Sequence, residues 1–214
     1  SSGRLSTKVA RGKHKFFGYD RKHHVITADD AVHISKYPIY SLRFFLNQSH
    51  KTTPFPNLEL KLSDIELKNG LNLIAPFINL NLPTICLYTY ATGEKCFSKT
   101  WWNDIYEALK LQFPDCNIIE ALPVENISAL DFKLPAFYSQ NIRELASFIA
   151  QTSLFVTGDC GIMHLAAATQ TPTIGFFNVT SKDIYQPYNT GCLGIDTNQK
   201  LAKDICDVLI PHLE

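Results

Sequence analysis

A glycine-containing turn between an apolar run and an alanine-rich segment constrains the fold of this chain more than any other feature. Residues 154–156 are apolar and suit a buried strand, and Gly158-Asp159-Cys160-Gly161 forms the turn after it. Residues 165–168 favour a helix, and an apolar stretch that suits a second strand begins at Thr173. A strand, a turn, a helix and a strand in this order predict a βαβ unit, and hence a parallel sheet.

The same alternation of strands and helices continues from residue 82 onward. Further strands are predicted at 84–90, 117–120 and 191–195, and further helices at about 99–112, 141–151 and 200–213. This alternation is typical of an α/β fold in which helices cover both faces of a parallel, Rossmann-like sheet. Ligands of such sheets bind at the carboxyl ends of the strands. The loops at those ends are 91–95, 120–126, 157–161 and 178–183.

The residues before 82 have a different organisation. Those at 29–46 fit an amphipathic helix that is broken or kinked at Pro38, and the alternation of apolar and polar residues at 58–62 predicts a short strand. A further helix is expected within 63–81, where Asn69-Gly70 is a turn signal. We therefore expect a domain boundary near residue 81.

The composition is that of an ordinary globular protein, with 45% hydrophobic and 19% charged residues and a net charge of zero. A neutral chain does not favour nucleic acid as a partner. No apolar run approaches the roughly 18 residues of a membrane span, and no signal peptide is visible. The six cysteines contain no C-x-x-C pair and predict free thiols in a reducing cytosol. A cytoplasmic location is therefore expected.

The turn at 158–161 brings together the groups that bind an anion. The backbone N–H groups of Cys160 and Gly161 open a helix, where partial positive charge collects, and they suit the phosphates of a nucleotide. The carboxylate of Asp159 accepts hydrogen bonds from sugar hydroxyls in one interpretation and caps the helix in the other. His164, in the first turn, donates to a bound phosphate or is a buried neutral side chain.

Other candidates follow the neighbouring strands. Lys95 comes after a strand and the loop at Thr92, and its ammonium suits the neutralisation of charge that develops on a leaving phosphate. Glu120 and Glu125 flank the loop after the next strand, where either carboxylate suits a sugar hydroxyl. Each of these residues is also compatible with an ordinary surface position, and no D-x-D motif that would indicate a metal site is present.

Cys160 suggests a different chemistry. A thiol at a helix N-terminus has a lowered pKa, as catalytic cysteines do. The nearest histidine in the sequence, His164, lies on the same helix, and no second base is evident. A cysteine hydrolase is therefore the weaker alternative.

The segments 159–168 and 171–177 resemble the heptosyltransferase family (glycosyltransferase family 9). Members of this family transfer heptose from ADP-heptose to the lipopolysaccharide core and have a two-domain GT-B architecture. The family pattern Asp-Ser/Thr-Gly-x-x-His-Leu-x-Ala-Ala, followed by a proline and an apolar strand, is present except that Cys160 replaces the hydroxyl residue. A weaker similarity covers 95–102, where Phe97 and Ser98 replace the Trp and Pro of Lys-x-Trp-Pro-x-x-x-Trp.

The resemblance implies roles for particular residues. Lys95 and His164 would stabilise the leaving diphosphate as the catalytic groups, and Asp159 with the backbone of Cys160 and Gly161 would hold the diphosphate and sugar. Further substrate-binding residues implied by the resemblance are Thr92, Glu120 or Glu125, and Gln140 near the adenine.

The resemblance is good over 82–214 and faint over 1–60. It implies a C-terminal nucleotide-sugar-binding domain at 82–214 and a remnant of the N-terminal acceptor domain at 1–81. The chain begins with Ser1 and its only methionine is Met163, so we expect a piece of a longer or processed product. The general base of the family is then expected upstream of Ser1.

The expected function is an inverting glycosyl transfer from an ADP-sugar donor to a lipopolysaccharide core or lipid A acceptor, with no metal or other cofactor. Residues 1–24 contain seven basic side chains and one acidic side chain, Asp20. This segment suits a peripheral contact with the cytoplasmic face of the inner membrane, and a solvated surface is the bland alternative. The rival function is a catalytically inert nucleotide-sugar-binding fragment.

Overall fold

The computed structural model describes residues 33–48 and 55–213. Contacts between residues divide the chain into two compact units, one formed by Ser1–Pro56 with Asp183–Tyr185 and the other by Asn57–Lys182 with Gln186–Glu214. The sheet belongs to the second unit. The functional assignment of domains to 1–81 and 82–214 stays a prediction.

Six strands form one parallel sheet in the order β3-β2-β1-β4-β5-β6. The strands are β1 Thr84–Tyr88, β2 Asn117–Ala121, β3 Ala136–Phe137, β4 Leu154–Gly158, β5 Thr173–Phe177 and β6 Leu193–Asp196. The chain builds outward from β1 through β2 to β3, and then returns to pair β4 with the other side of β1. The carboxyl ends of β1 and β4 therefore flank a switch point, which is where open α/β sheets bind ligands. The predicted α/β class with a parallel sheet is confirmed.

Helices cover the sheet on both faces. Residues of α3 and α7 pack on one face of the sheet, and residues of α2, α4 and α5 pack on the other. The helices in the described parts of both units are α1 Tyr37–Phe45, α2 Asp64–Ile74, α3 Lys99–Gln112, α4 Ile142–Ile149, α5 Gly161–Ala168, α6 Lys182–Tyr185 and α7 Ala202–Asp207, with 3₁₀ turns at Ala75–Phe77, Gly93–Lys95 and Ile210–His212. The helix predicted at about 99–112 is confirmed with those limits. Among the described residues, no helix is both long enough and apolar enough to cross a bilayer.

The core has two layers because successive residues of a strand point to opposite faces. Ile85 and Leu87 of β1 pack in one hydrophobic cluster with Trp102 of α3. Cys86 packs in the other cluster, which includes Phe148 of α4. All five residues of β1, β4 and β5 are buried, as expected for central strands of a sheet covered on both faces.

Local sequence sets the starts of α3 and α4, which lie on opposite faces of the sheet. Ser98 caps α3 by accepting a hydrogen bond from the Trp101 N–H at 3.1 Å. Asn141 caps α4, with its side chain accepting from the N–H groups of Arg143 and Glu144. Capping satisfies backbone donors that have no partner inside the helix, so both helices begin at a defined residue.

Helices α2 and α4 cross at Gly70. A Cβ atom at this position would lie 2.0 Å from the Ser147 carbonyl oxygen. The expectation of a turn at Asn69-Gly70 is wrong, because the pair lies inside α2. The glycine is required for close helix packing rather than for chain reversal.

The strand predicted at 58–62 is also wrong. These residues form no strand, and the backbone of Lys61 has a φ of +52°, which interrupts an extended conformation. The segment is held instead by single contacts, such as the bond from the Leu60 N–H to the Ala168 carbonyl at 2.8 Å. The leucines of this segment alternate as they would in a strand, but the segment pairs with no strand of the sheet.

Smaller differences concern the ends of elements. The helix expected at 29–46 is described only from residue 33, begins at Tyr37 and keeps Pro38 in its first turn, where a missing N–H has no cost. The closing helix is shorter than predicted and ends at Asp207, before a 3₁₀ turn that contains Pro211. The two-residue strand β3 has no counterpart among the predicted strands.

The first unit contributes α1 and residues near it. The rings of Tyr40 and Phe55 lie 5.9 Å apart, and the Ile34 N–H donates to the Ile184 carbonyl. Residues 1–32 lie outside the described part of the chain, so the proposed basic contact segment has no structural description.

Candidate functional site

The loop after β1 is shaped so that Lys95 faces the loop after β4. Gly93 has a φ of +62°, a left-handed conformation that glycine adopts without strain, and it opens the 3₁₀ turn Gly93–Lys95. The Cys96 thiol donates to the Ala91 carbonyl at 2.8 Å and closes the loop. Thr92, just before the turn, is exposed.

Phe97, two residues after Lys95, packs between this loop and the aromatic side chains of the core. Its ring stacks on Trp101 with centroids 3.9 Å apart, and it also packs edge-on against Phe176 of β5. A Cβ atom at Gly158 would lie 3.5 Å from the Phe97 ring, an ordinary contact. Phe97 therefore serves as a hydrophobic base between the ends of β1 and β4.

Lys95 and Asp159 form an ion pair across the switch point. Nζ of Lys95 lies 3.4 Å from Oδ2 of Asp159, and the side chains are 27% and 10% exposed. The Thr180 hydroxyl donates to the same carboxylate oxygen at 2.7 Å. Asp159 thus connects the loops that follow β1, β4 and β5.

The N-cap of α5 is Cys160 rather than Asp159. Cys160 has extended dihedral angles, and α5 begins at Gly161. The capping interpretation of Asp159 is therefore wrong, because its carboxylate faces Lys95 and Thr180 instead. The negative side chain still lies beside a helix N-terminus, where partial positive charge favours it.

Gly161 is exposed and has open space before it. A Cβ atom placed there would meet no atom within 4 Å, and its φ is not in the left-handed region. The same holds for the φ of Gly158, so neither glycine is required by backbone strain. Gly161 thus adds no side chain at the N-terminus of α5, where the N–H groups of a helix favour an anion.

Cys160 has the properties of a structural thiol. Burial raises the pKa of the Cys160 thiol, and its Sγ lies 3.4 Å from the Thr157 hydroxyl. A raised pKa keeps the thiol neutral and opposes nucleophilic chemistry.

His164, the other candidate of this helix, lies in the first turn of α5 and is half-buried.

Glu120 is placed differently from the other candidates. It is fully buried, and its two carboxylate oxygens accept hydrogen bonds from the hydroxyls of Thr89 and Ser128, both at 2.6 Å. Burial raises the pKa of the Glu120 carboxyl, opposed by these two hydrogen bonds. Ser128 and Thr89 in turn accept from backbone N–H groups at 129, 130 and 132, so the network anchors the loop after β2.

Glu125 and Gln140 lie toward the β3 edge of the sheet. Glu125 is exposed, and desolvation together with the nearby Glu125 carboxylate raises the pKa of the Tyr90 phenol. Gln140 is exposed, and its amide donates to the Tyr138 hydroxyl at 2.9 Å. That hydroxyl donates to the Val124 carbonyl and ties the loops after β2 and β3 together.

The sheet order separates the candidates into two groups. Six candidates belong to loops or helices that follow β1 and β4, namely Thr92, Lys95, Asp159, Cys160, Gly161 and His164. Neighbouring strands are about 4.8 Å apart, so the loops after β2 and β3 lie about 10–15 Å from the end of β4. Asp159 and Lys95 are brought into contact, whereas the remaining candidates occupy the neighbouring part of the same sheet edge.

Two other observations complete the description of possible sites. Within residues 33–48 and 55–213, no group of three or more His, Cys, Asp or Glu side chains is arranged to hold a metal ion. A cavity of about 440 Å³ lies at the amino ends of β1 and β2, on the opposite side from the candidate site. Its lining includes Pro83, Phe113 and Cys116. It contains none of the predicted site residues.

Sequence reasoning identified the loop 178–183 but missed Thr180 within it. The rule that ligands bind at carboxyl ends of strands selects the loop, and only the folded geometry shows which hydroxyl reaches Asp159.

Comparison with solved structures identifies proteins that have a similar fold. The chain is similar to E. coli ADP-heptose lps heptosyltransferase II, with a TM-score of 0.60 and 18% identity over 75% of this chain and 55% of that one. It is similar to a glycosyl transferase family 9 structure from Veillonella parvula, with a TM-score of 0.67 and 10% identity over 85% and 60%. It is also similar to E. coli heptosyltransferase WaaC with ADP, with a TM-score of 0.59 and 14% identity over 91% and 60%.

These likenesses show the fold, which is that of the GT-B glycosyltransferases. The chain spans about 55–60% of the length of these three solved structures. Residues 139–205 match the model of glycosyltransferase family 9 (heptosyltransferase), and this match confirms the family resemblance of the segment around Asp159. No curated protein sequence matches the chain significantly.

Proposed function

We propose that this chain binds the nucleotide-sugar donor of a heptosyltransferase and takes part in transferring heptose to the lipopolysaccharide core. The observation that carries the proposal is the Lys95–Asp159 pair beside the open N-terminus of α5. The pair lies at the switch point of a parallel sheet and within the family-matched region on its Asp159 side. ADP-heptose is the proposed donor because the matched family is described as heptosyltransferase and the similar E. coli protein is named ADP-heptose lps heptosyltransferase II.

The diphosphate binds at the start of α5. The N–H groups of Cys160 and Gly161, at the start of this helix, are the donors. Space beside Gly161 is open, since an added Cβ atom would meet nothing within 4 Å apart from its chain neighbours and its own helix. Lys95 supplies a positive charge within reach of the same turn, and His164 lies on the first turn of the helix. Asp159 accepts hydrogen bonds from the sugar.

The nucleoside extends toward β2 and β3. The strand order puts Glu125 and Gln140 on that side, where an amide and a carboxylate suit ribose and base groups. Glu125 is the better candidate of the two glutamates for direct contact, because Glu120 already binds Thr89 and Ser128 with both oxygens. Thr92 borders the same edge from the loop after β1.

The reaction is an inverting displacement at the anomeric carbon. An acceptor hydroxyl forms the new C–O bond as the bond from C1 to the diphosphate oxygen breaks, and the electron pair leaves with ADP. Lys95, His164 and the helix N–H groups stabilise the charge that develops on the departing diphosphate. The proton of the acceptor goes to a base that the family resemblance assigns to the acceptor half.

The remaining partners follow from this proposal. The acceptor is the lipopolysaccharide core or lipid A, and the basic residues 1–24 contact the anionic cytoplasmic face of the inner membrane. No metal cofactor is proposed, because the protein cations and the helix terminus carry out the charge stabilisation that a metal ion would supply.

Isothermal calorimetry with ADP, ADP-heptose, UDP-glucose and GDP-mannose tests the binding step. We expect ADP and ADP-heptose to bind, and Asp159→Ala and His164→Ala each to weaken ADP-heptose binding. Asp104→Ala, at an exposed position of α3, is the control and should bind as the wild type does. Unchanged ADP-heptose affinity in both site variants would refute the proposal.

A transfer assay separates the enzyme from the inert binding fragment. The assay follows heptose passing from ADP-heptose to lipopolysaccharide that lacks heptose. Transfer supports the enzyme, whereas binding of ADP-heptose without transfer identifies the inert alternative for this chain.

A further inference from the structure

Thr180 joins the site from a third loop. Its hydroxyl, three residues beyond the end of β5, donates to Oδ2 of Asp159 at 2.7 Å. The ammonium of Lys95 lies 3.4 Å from the same oxygen. One carboxylate oxygen therefore receives a charged donor from one side of the switch point and a neutral donor from the other, and neither uses Oδ1.

The backbone of Asp159 is already fixed, so these donors set its side chain. The Asp159 N–H donates to the Phe176 carbonyl at 3.1 Å, which continues the pairing of β4 with β5. Once the main chain is held, the orientation of the carboxylate depends on its side-chain torsions. A donor on Oδ2 fixes those torsions and directs Oδ1 away from Lys95 and Thr180.

The two donors respond differently to an anion. A bound diphosphate attracts the ammonium of Lys95, because opposite charges interact strongly in a partly buried site. The same diphosphate exerts no comparable pull on the neutral Thr180 hydroxyl. When Lys95 turns toward phosphate, Thr180 is the donor that still holds Asp159.

We propose that Thr180 is a positioning residue that orients the Asp159 carboxylate toward the sugar of the donor and holds it there when Lys95 binds the diphosphate. The inference rests on the proposed function, because it assigns Asp159 to the sugar and Lys95 to the diphosphate. It predicts that loss of the Thr180 hydroxyl weakens binding of ADP-heptose more than binding of ADP, which has no sugar to orient.

Calorimetry of ADP and ADP-heptose with Thr180→Val, Thr180→Ser and Thr180→Ala tests this role. Valine removes the hydroxyl at nearly constant volume and should weaken ADP-heptose binding about tenfold, the typical value of a hydrogen bond to a charged group, with ADP affinity little changed. Alanine should act in the same direction, so a folding defect in one variant leaves the test intact. Serine retains the donor and should restore ADP-heptose affinity.

Thr197→Val is the matched control. Thr197 is a buried threonine at the end of β6, and its hydroxyl donates to the Phe177 carbonyl at 3.0 Å rather than to Asp159. It should leave the ratio of ADP-heptose to ADP affinity as in the wild type, whatever its effect on thermal stability.

The outcomes separate this inference from the proposed function. Unchanged ADP-heptose affinity in Thr180→Val and Thr180→Ala, or an equal loss for ADP and ADP-heptose, overturns the role of Thr180 while nucleotide-sugar binding stands. If the wild type binds neither ligand, the proposed function fails and the role of Thr180 fails with it.

Discussion

The ammonium of Lys95 lies 3.4 Å from Oδ2 of Asp159. Lys95 follows β1 and Asp159 follows β4, and these strands are neighbours because the chain adds β2 and β3 on one side of β1 and β4 on the other. The pair is partly buried, with side chains 27% and 10% exposed, so its interaction is less screened than that of a surface pair. In the ligand-free protein the two charges compensate each other. A diphosphate can then draw on a lysine that is already placed at the site.

Replacing Lys95 with methionine should weaken ADP binding about 10- to 100-fold, because a charged hydrogen bond to phosphate is lost. The loss should diminish as salt is raised, since screening weakens the wild-type contact. Calorimetry at low and high salt measures both effects. Lys110→Met, at an exposed position of α3, is the control, and an equal loss of affinity in this variant would show that the effect is not specific to the site.

Replacing Cys160 with serine should retain ADP binding. The proposed contact of Cys160 is its backbone N–H, and serine keeps this donor and is also the better N-cap. Burial raises the pKa of the Cys160 thiol, which disfavours the thiolate that a cysteine nucleophile requires. Calorimetry and a heptose-transfer assay measure the outcome, and a transfer activity that disappears with serine while ADP still binds would favour cysteine chemistry.

Replacing Gly70 with alanine should destabilise the fold by about 1–3 kcal/mol or more, because the new methyl group overpacks the crossing of α2 and α4. The Cβ would lie 2.0 Å from a backbone carbonyl oxygen of Ser147, which cannot move as a flexible side chain can. Urea denaturation measures the free energy of unfolding. Asn69→Ala, at the exposed neighbouring position, should change it by about 0.5 kcal/mol or less. Equal values for the two variants would contradict the account of this crossing.

Replacing Glu66 with glutamine should lower the thermal midpoint at pH 6 but have little effect near pH 2. Its side-chain bond to Arg143, followed by bonds from Ser63, holds the pKa of Glu66 at about 2. A folded-state pKa below the unfolded value of about 4.3 gives stability that is present above that value and is lost as pH falls toward 2. The difference in midpoint between wild type and variant should therefore narrow on acidification.

Glu107→Gln is the control for that measurement. Glu107 is exposed and pairs with Lys110 within one helix, an arrangement that stabilises proteins weakly. A constant difference between wild type and Glu66→Gln from pH 6 to pH 2 would contradict the effect assigned to Arg143.

The sequence predicts the central part of the fold well, because buried parallel strands and their helices have strong patterns. Apolar runs predict the strands β1, β4 and β5, and an apolar face of Trp102, Ile105, Leu109 and Leu111 predicts the helix at 99–112. The expectation is wrong for Leu111 as a member of that face, because its side chain is exposed. β3 has two residues and is too short to give a pattern. The segment 58–62 shows the opposite problem, since alternation alone does not supply a partner strand.

The candidate site could be predicted in part. Its loops follow from the rule for parallel sheets, but the adjacency of β1 and β4 depends on the strand order, which no local pattern encodes. Glu120 is buried with both carboxylate oxygens accepting hydrogen bonds from the hydroxyls of Thr89 and Ser128. These two residues come from separate segments, so the sequence around Glu120 does not reveal them. Thr180 required the same three-dimensional information, because its partner Asp159 lies on another strand end.

The backbone amides at the start of α5 give the most direct test of the central claim. We expect titration of the ¹⁵N-labelled chain with ADP to produce its largest amide shift changes at Cys160 and Gly161, with smaller changes at Lys95. Saturating shift changes confined to the amino ends of the strands, around Phe113 and Cys116, with the amides of 160 and 161 unaffected, would contradict the proposed diphosphate site.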